Sequence, residues 1–131
     1  MRLIVCGGRD YSDEAFVFPT LDRVHAKRSV TQVVQGGATG ADALAKHWAD
    51  ARGVECLTIR ADWRTHGKAA GPIRNGQMLD LQPDGLVAFP GGRGTADMCR
   101  QAAARGVAVW HPAGSQSYES TPMGTSRNSD A

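Results

Sequence analysis

Leu3-Ile4-Val5-Cys6-Gly7-Gly8-Arg9-Asp10 sets the pattern for the whole chain. An apolar run without polar alternation reads as a strand buried on both faces, and the glycine pair that stops it reads as a tight turn. The pattern recurs. Val33-Val34 ends at Gly36-Gly37, and Leu57-Thr58-Ile59 leads into a polar stretch from Ala61 to Gly71. Leu86 to Phe89 breaks at Pro90-Gly91-Gly92, and Val107 to Trp110 stops before Pro112. Helical patterns lie between these runs. From Gly40 to Arg52, Ala41, Leu44, Ala45, Trp48 and Ala49 recur at helical spacing, with Gly53 placed as a C-cap. Ala96, Cys99, Ala102 and Ala103 do the same from Thr95 to Arg105, before Gly106. The segment from Asp13-Glu14 to about Arg28 carries Val17, Leu21 and Val24 on one face. Pro19 conflicts with a helix interior there, so a turn and then a helix starting near Pro19 is expected. A further helix is expected from Pro72 to about Leu81.

Strands alternating with helices imply an α/β fold. We expect a Rossmann-like, doubly wound parallel sheet of about five strands, with helices on both faces and right-handed crossovers. The ordered domain should span 1–112. From Ala113 onward Ser, Thr, Gly, Pro and Asn dominate without periodicity, so 113–131 reads as a disordered tail.

Composition narrows the function. The chain has 131 residues, 41% of them hydrophobic and 21% charged, which excludes a disordered body. Its net charge of +2 is too small for a DNA-coating protein. No apolar stretch is long enough for a membrane span, and the N-terminus lacks the apolar core of a signal peptide. Cys6, Cys56 and Cys99 are widely spaced with no CxxC, as in buried thiols of a reducing compartment. A cytoplasmic location is expected. Nothing groups the histidines as metal ligands, so neither a metal nor a resident cofactor is expected.

The glycines fall at the carboxyl ends of three expected strands. In an open α/β sheet, ligands bind outside those ends, where the strand order reverses. With the order 3-2-1-4-5, the first and fourth strands flank that crevice. The second and fourth glycine turns run directly into helices, where backbone N–H groups and the positive helix end can face an anion. Candidate phosphate ligands are Gly7, Gly8, Arg9, Gly37, Thr39, Gly40, Gly91, Gly92, Arg93, Gly94 and Thr95. Lys68, Arg74 and Asn75 join them from the basic loop after the third strand, where Arg74 can fork onto a phosphate. Trp63 in that loop can stack on a base or pack the loop onto the core. Asp10, Asp42 and Asp62 are the carboxylates closest to the strand ends. Neither GxxxxGK[ST] nor GxGxxG is present.

Four segments taken together resemble the YspA/cpYpsA-related branch of the SLOG superfamily. They are Val5 to Tyr11, Gly36 to Asp42, Ala61-Asp62-Trp63 with Gly67 to Asn75, and Pro90 to Met98. The resemblance covers residues 1 to about 111. It implies a small Rossmann-like protein, often bacterial or phage-borne, that binds a nucleotide or an ADP-ribose-like signal, and it allows a homodimer. The wider superfamily includes LOG-type phosphoribohydrolases, which cleave the N-glycosidic bond of nucleoside 5′-monophosphates and carry PGGxGTxxE. It also includes the DNA-processing protein DprA. Carried over, Gly91, Gly92, Gly94 and Thr95 match the phosphate-binding positions, but the motif's glutamate falls on Met98. A thioether cannot donate a proton. An enzyme here would need Asp10, Asp42, Asp62 or Asp97 instead, with Arg74 in support. DprA-like binding of single-stranded DNA would use Arg60, Trp63, Arg64 and Arg74, but sparse aromatics and modest charge weigh against it.

Overall fold

A computed structural model describes residues 1–112; the expected tail at 113–131 lies outside the described residues. The chain runs β1 (Arg2–Cys6), α1 (Glu14–Lys27), β2 (Gln32–Gln35), α2 (Ala41–Arg52), β3 (Glu55–Thr58) and α3 (Trp63–His66). A 3-10 turn (Gly67–Ala69) follows, then α4 (Ala70–Leu79), β4 (Gly85–Ala88), α5 (Arg93–Ala104) and β5 (Val109–Trp110). The five strands form one parallel sheet in the order β3-β2-β1-β4-β5, which places β1 at the centre beside both β2 and β4. No helix among the described residues is long and apolar enough to cross a membrane.

Each buried strand sends alternate side chains to opposite layers. Leu3 and Val5 of β1 join Val33 and Val87 under α1 and α2, against Val17, Leu21, Ala45 and Trp48. Ile4 and Cys6 join Val34, Leu86 and Ala88 on the other face, against Met78 and Leu79 of α4 and Met98 and Ala102 of α5. Helices therefore cover both faces, which is why the strands read as continuous apolar runs. Fully buried Trp48 donates from its indole Nε1 to Asp22 Oδ1 at 2.8 Å, tying α2 to α1. Arg52 adds two bonds to the same carboxylate, each 2.8 Å. The Arg52 bonds first, and the Trp48 bond second, hold the Asp22 carboxyl down at about 2.

Several elements differ from the sequence reading. The first helix does not restart at Pro19. Asp13 caps it by accepting from the Phe16 N–H at 3.1 Å, and it runs unbroken through the proline. Pro19 and Ala15 both lie on the exposed side, so the Ala15 carbonyl that loses its i+4 partner faces water instead. The polar stretch after β3 is not an irregular loop. Asp62 accepts from the Thr65 N–H at 3.1 Å and caps the short helix α3, and α4 begins at Ala70 rather than Pro72. At the far edge, β5 is reduced to Val109 and Trp110, since only Leu86 and Val87 of β4 pair with it.

Pro19→Ala restores the missing N–H without touching the buried face. It should raise stability by about 1–3 kcal/mol, read as a higher urea midpoint with an unchanged slope.

Candidate functional site

The three glycine turns meet at the carboxyl edge of the sheet and are joined through the backbone of one residue, Gly8. The Gly8 N–H donates to the Pro90 carbonyl at 2.8 Å, linking the turn after β1 to the turn after β4. The Gly8 carbonyl accepts from the Ala41 N–H at 3.1 Å and from the Tyr11 N–H at 3.2 Å, linking it to the start of α2. Thr39 Oγ1 donates to the Arg9 carbonyl at 3.0 Å. Such approaches leave no room for side chains. A Cβ on Gly7 would lie 2.6 Å from Ala41 Cβ, and one on Gly40, where φ is +75°, would run into the Gly8 carbonyl oxygen. A Cβ on Gly91 would strike Thr95 Oγ1 and come within 2.8 Å of the Gly8 nitrogen.

Two further side chains shape the turn after β2. Buried Gln35 accepts from the Gly37 N–H at 2.6 Å and donates to Thr58 Oγ1 at 2.6 Å. Buried Asp42 accepts from the Ala38 N–H at 3.1 Å. Burial pushes the Asp42 carboxyl up, an effect opposed by the Ala38 bond and then by the positive charge of Arg74. Half-buried Arg74 donates to the Gly36 carbonyl and to Asn75 Oδ1, both at 3.0 Å. Burial also lowers its affinity for the proton, against the opposing pull of Asp42. A Cβ on Gly36 would be only 2.9 Å from Asp42 Oδ2, so this glycine makes room for the Asp42–Arg74 arrangement.

The turns enclose an open cleft of about 1370 Å³. Its floor includes Cys6, Met78 and Met98, and its walls carry Arg9, Asp10, Asp42, Trp63, Lys68, Arg74 and the segment from Pro90 to Asp97. Only Gly92 and Gly94 fit the simple expectation that glycine keeps the backbone open to a ligand. A Cβ on either meets nothing within 4 Å. Gly92 is the N-cap of α5 and supplies no side-chain cap, so the first N–H groups of that helix face the cleft. Exposed Arg9, Lys68 and Arg93 line the same space, and none makes a side-chain hydrogen bond or ion pair among the described residues.

Other expected site residues are committed elsewhere. Asn75 is buried and donates to the Gly94 carbonyl at 3.2 Å and to Asp97 Oδ2 at 3.0 Å, fastening α4 to α5. Asp97 also accepts from Gln101 at 2.7 Å and Arg100 at 3.0 Å. Asp62 is the cap of α3 and does not line the cleft. Arg60 donates to the Gly37 carbonyl at 3.1 Å. Of the four candidate carboxylates, Asp10 is exposed, lines the cleft and makes no hydrogen bond among the described residues. Trp63 is 51% exposed at the rim, beside Gly71, so the option of packing onto the core gives way to an open ring face. No cluster of three or more His, Cys, Asp or Glu among the described residues could hold a metal ion. Gln35 and Tyr11, whose ring stacks on Phe89 at 5.6 Å, shape the turns without having been singled out in the sequence. A glutamine ending a buried strand is the one available signal for Gln35.

Two comparisons bear on this arrangement. Residues 1–66 match the model of the YspA, cpYpsA-related SLOG family. The chain is also 38% identical over 116 residues to the gene 61 protein of Mycobacterium phage D29, covering 82% of this chain and 93% of that protein.

The two kinds of glycine should separate in mutants. Gly40→Ala forces a Cβ into a backbone carbonyl at positive φ and should cost at least about 2 kcal/mol. Gly92→Ala should stay within about 1 kcal/mol of the parent. Urea denaturation of both variants checks the contrast.

Proposed function

We propose, from the premise that this chain belongs to the YspA, cpYpsA-related SLOG family, that its cleft binds a nucleotide-derived, ADP-ribose-like ligand as a sensor or signalling module. Family membership points to a nucleotide-related small molecule in general. The finer reading is carried by one coincidence. The uncapped start of α5, the two glycines with open Cβ positions and the unpaired cations Arg9, Lys68 and Arg93 all border one space. Backbone N–H groups at a helix start with free cations around them suit phosphate. Gly92, Gly94 and Thr95 would cradle one phosphate, and Lys68 and Arg93 would reach another. The cleft exceeds the roughly 300–1,000 Å³ of ordinary small-molecule pockets, which favours a ligand larger than a mononucleotide. Trp63 at the rim offers a face for the base.

A second reading, cleavage at the C1′ carbon of a bound nucleotide, draws on Asp10, the carboxylate left free at the cleft wall. DprA-like binding of DNA draws less support, because Arg60 is held by Gly37 and Arg64 does not line the cleft.

Calorimetric titration with AMP, NAD and ADP-ribose tests the binding reading. Lys68→Ala and Arg93→Ala should each weaken binding by about tenfold, a charge-assisted bond discounted for solvent exposure, with melting temperatures unchanged. Gly92→Val should abolish binding in a folded protein. Parental affinity in all three would remove the phosphate assignment. Arg74→Ala should lose both affinity and melting temperature, because its guanidinium also holds the Gly36 carbonyl. Chromatography of the incubated ligands separates the two readings: intact ligand supports binding, and released base supports hydrolysis through Asp10, provided that Asp10→Asn stops it.

A further inference from the structure

We propose that Asn75 is a positioning residue for the ligand: its buried amide sets where the start of α5 stands relative to the turn after β2, and so where the N–H groups of that helix start point. This role rests on the phosphate reading given above. Arg74 and Asn75 are neighbours on α4, about 100° apart around the helix, so they reach different turns. Arg74 Nη1 donates to the Gly36 carbonyl at 3.0 Å, on the turn after β2. Its Nε donates to Asn75 Oδ1, also at 3.0 Å. Asn75 Nδ2 continues the chain, donating to the Gly94 carbonyl at 3.2 Å and to Asp97 Oδ2 at 3.0 Å. An unbroken line of hydrogen bonds thus runs from the turn after β2 to the first turn of α5.

The position calls for an amide. Asn75 is 4% exposed, its Nδ2 is committed to two acceptors on α5, and its oxygen is committed to Arg74. A carboxylate could accept from Arg74 but has no proton for the Gly94 carbonyl or for Asp97. Holding α4 to α5 does not by itself require this amide. Gln101 Nε2 donates to the Pro72 carbonyl at 3.0 Å, Arg105 pairs with Asp80 at 2.7 Å, and Met78 packs in one cluster with Met98 and Ala102. What the bond to Gly94 adds is placement. The Ala96 N–H takes the Gly92 carbonyl at 3.0 Å, which leaves the N–H groups of Arg93, Gly94 and Thr95 over at the helix start. The Gly94 carbonyl and the Thr95 N–H belong to one planar trans peptide and point in opposite directions. Tying the carbonyl to α4 therefore fixes the direction of that N–H. A single helix, α4, places both turns, through Arg74 on one side and Asn75 on the other.

The test compares Asn75→Asp, the exchange of Asn75→Asp with Asp97→Asn, and Gln101→Ala, all in the full-length chain. Each is read by melting temperature, by amide proton–nitrogen NMR spectra of the unliganded protein and by calorimetric titration with ADP-ribose. Asn75→Asp should displace the Gly94 and Thr95 amide signals and weaken ADP-ribose binding by about tenfold or more. Asn75→Ala, which loses the same bonds without adding a charge, should act in the same direction. The exchange restores one amide–carboxylate bond between α4 and α5 with its direction reversed, but it leaves a carboxylate facing the Gly94 carbonyl. Its melting temperature should recover, while the two amide signals stay displaced and the affinity stays low. Gln101→Ala removes the bond to Pro72. It should lower the melting temperature and keep the parental signals and affinity. The positioning role is overturned if the Gly94 and Thr95 signals of both Asn75 variants match the parent's. It is equally overturned if Gln101→Ala loses as much affinity as Asn75→Ala, or if affinity returns together with melting temperature in the exchange. A parent chain that does not bind ADP-ribose defeats the ligand reading instead. The unliganded spectra then still decide whether Asn75 places the start of α5.

Discussion

The geometry of the cleft depends on the backbone of Gly8. Its N–H reaches the turn after β4 and its carbonyl reaches the first residue of α2. One residue thus holds the turn before α5 and the start of α2 in fixed relation. The constraint propagates, because a Cβ on Gly40 would meet the Gly8 carbonyl and a Cβ on Gly91 would approach the Gly8 nitrogen. Glycines scattered through the sequence are therefore requirements of a single contact. Although the rim cations Arg9, Lys68 and Arg93 keep rotamers to order, the turns themselves are fixed by backbone bonds before a ligand arrives. That reduces the entropic cost of binding.

The charges at the cleft divide into a fixed inner set and a free outer set. Asp42 and Arg74 sit deep, each shifted by burial in the direction that disfavours its charge, and each favouring the other's. Their task is local. Asp42 holds the Ala38 N–H and Arg74 holds the Gly36 carbonyl, so together they shape the turn after β2. Because these opposite charges largely cancel, attraction for an anion falls to Arg9, Lys68 and Arg93 at the exposed rim. Rim charges are screened within about 8 Å at physiological salt. On the proposed reading they would serve capture and orientation, while the uncapped N–H groups of α5 would provide the less screened contacts closest to the ligand.

Much of this was legible in the sequence, and the reasons differ by level. The strands and their turns followed from where apolar runs stop at glycine, because a doubly wound parallel sheet makes its strands continuous in hydrophobicity and its turns tight, and the order assumed for them is the one observed. Pro19 misled, since the cost of proline in a helix interior is smallest where the abandoned carbonyl can bond to solvent. Here that carbonyl faces water. The stretch from Ala61 to Gly71 looked like an open loop because α3 owes its existence to one side-chain cap, Asp62, in a segment without apolar periodicity. The glycine turns were found correctly, but most of their glycines serve contacts between turns. Only Gly92 and Gly94 leave their Cβ space to the cleft. Pairings such as Asn75 with Asp97 join residues brought together only by the folded sheet.

Met98 decides how far the cleft resembles that of a hydrolase. It occupies the position of the glutamate in PGGxGTxxE, and it is 1% exposed, in the layer that holds Cys6, Met78 and Ala102. A carboxylic acid in such surroundings would have its proton affinity raised by burial, the usual route to a general acid near neutral pH. Methionine fills a similar volume without that desolvation cost and brings no proton. The neighbouring Asp97 does not substitute for it, because its oxygens already accept from Asn75, Gln101 and Arg100. Asp42 is occupied by the turn it shapes, and Asp10 stands at the wall and not on the floor. On the proposed reading, the features present are those that would grip a phosphate, and the one absent at Met98 is the glutamate that would break the glycosidic bond in PGGxGTxxE. This division is what a protein that holds a nucleotide-derived ligand intact requires.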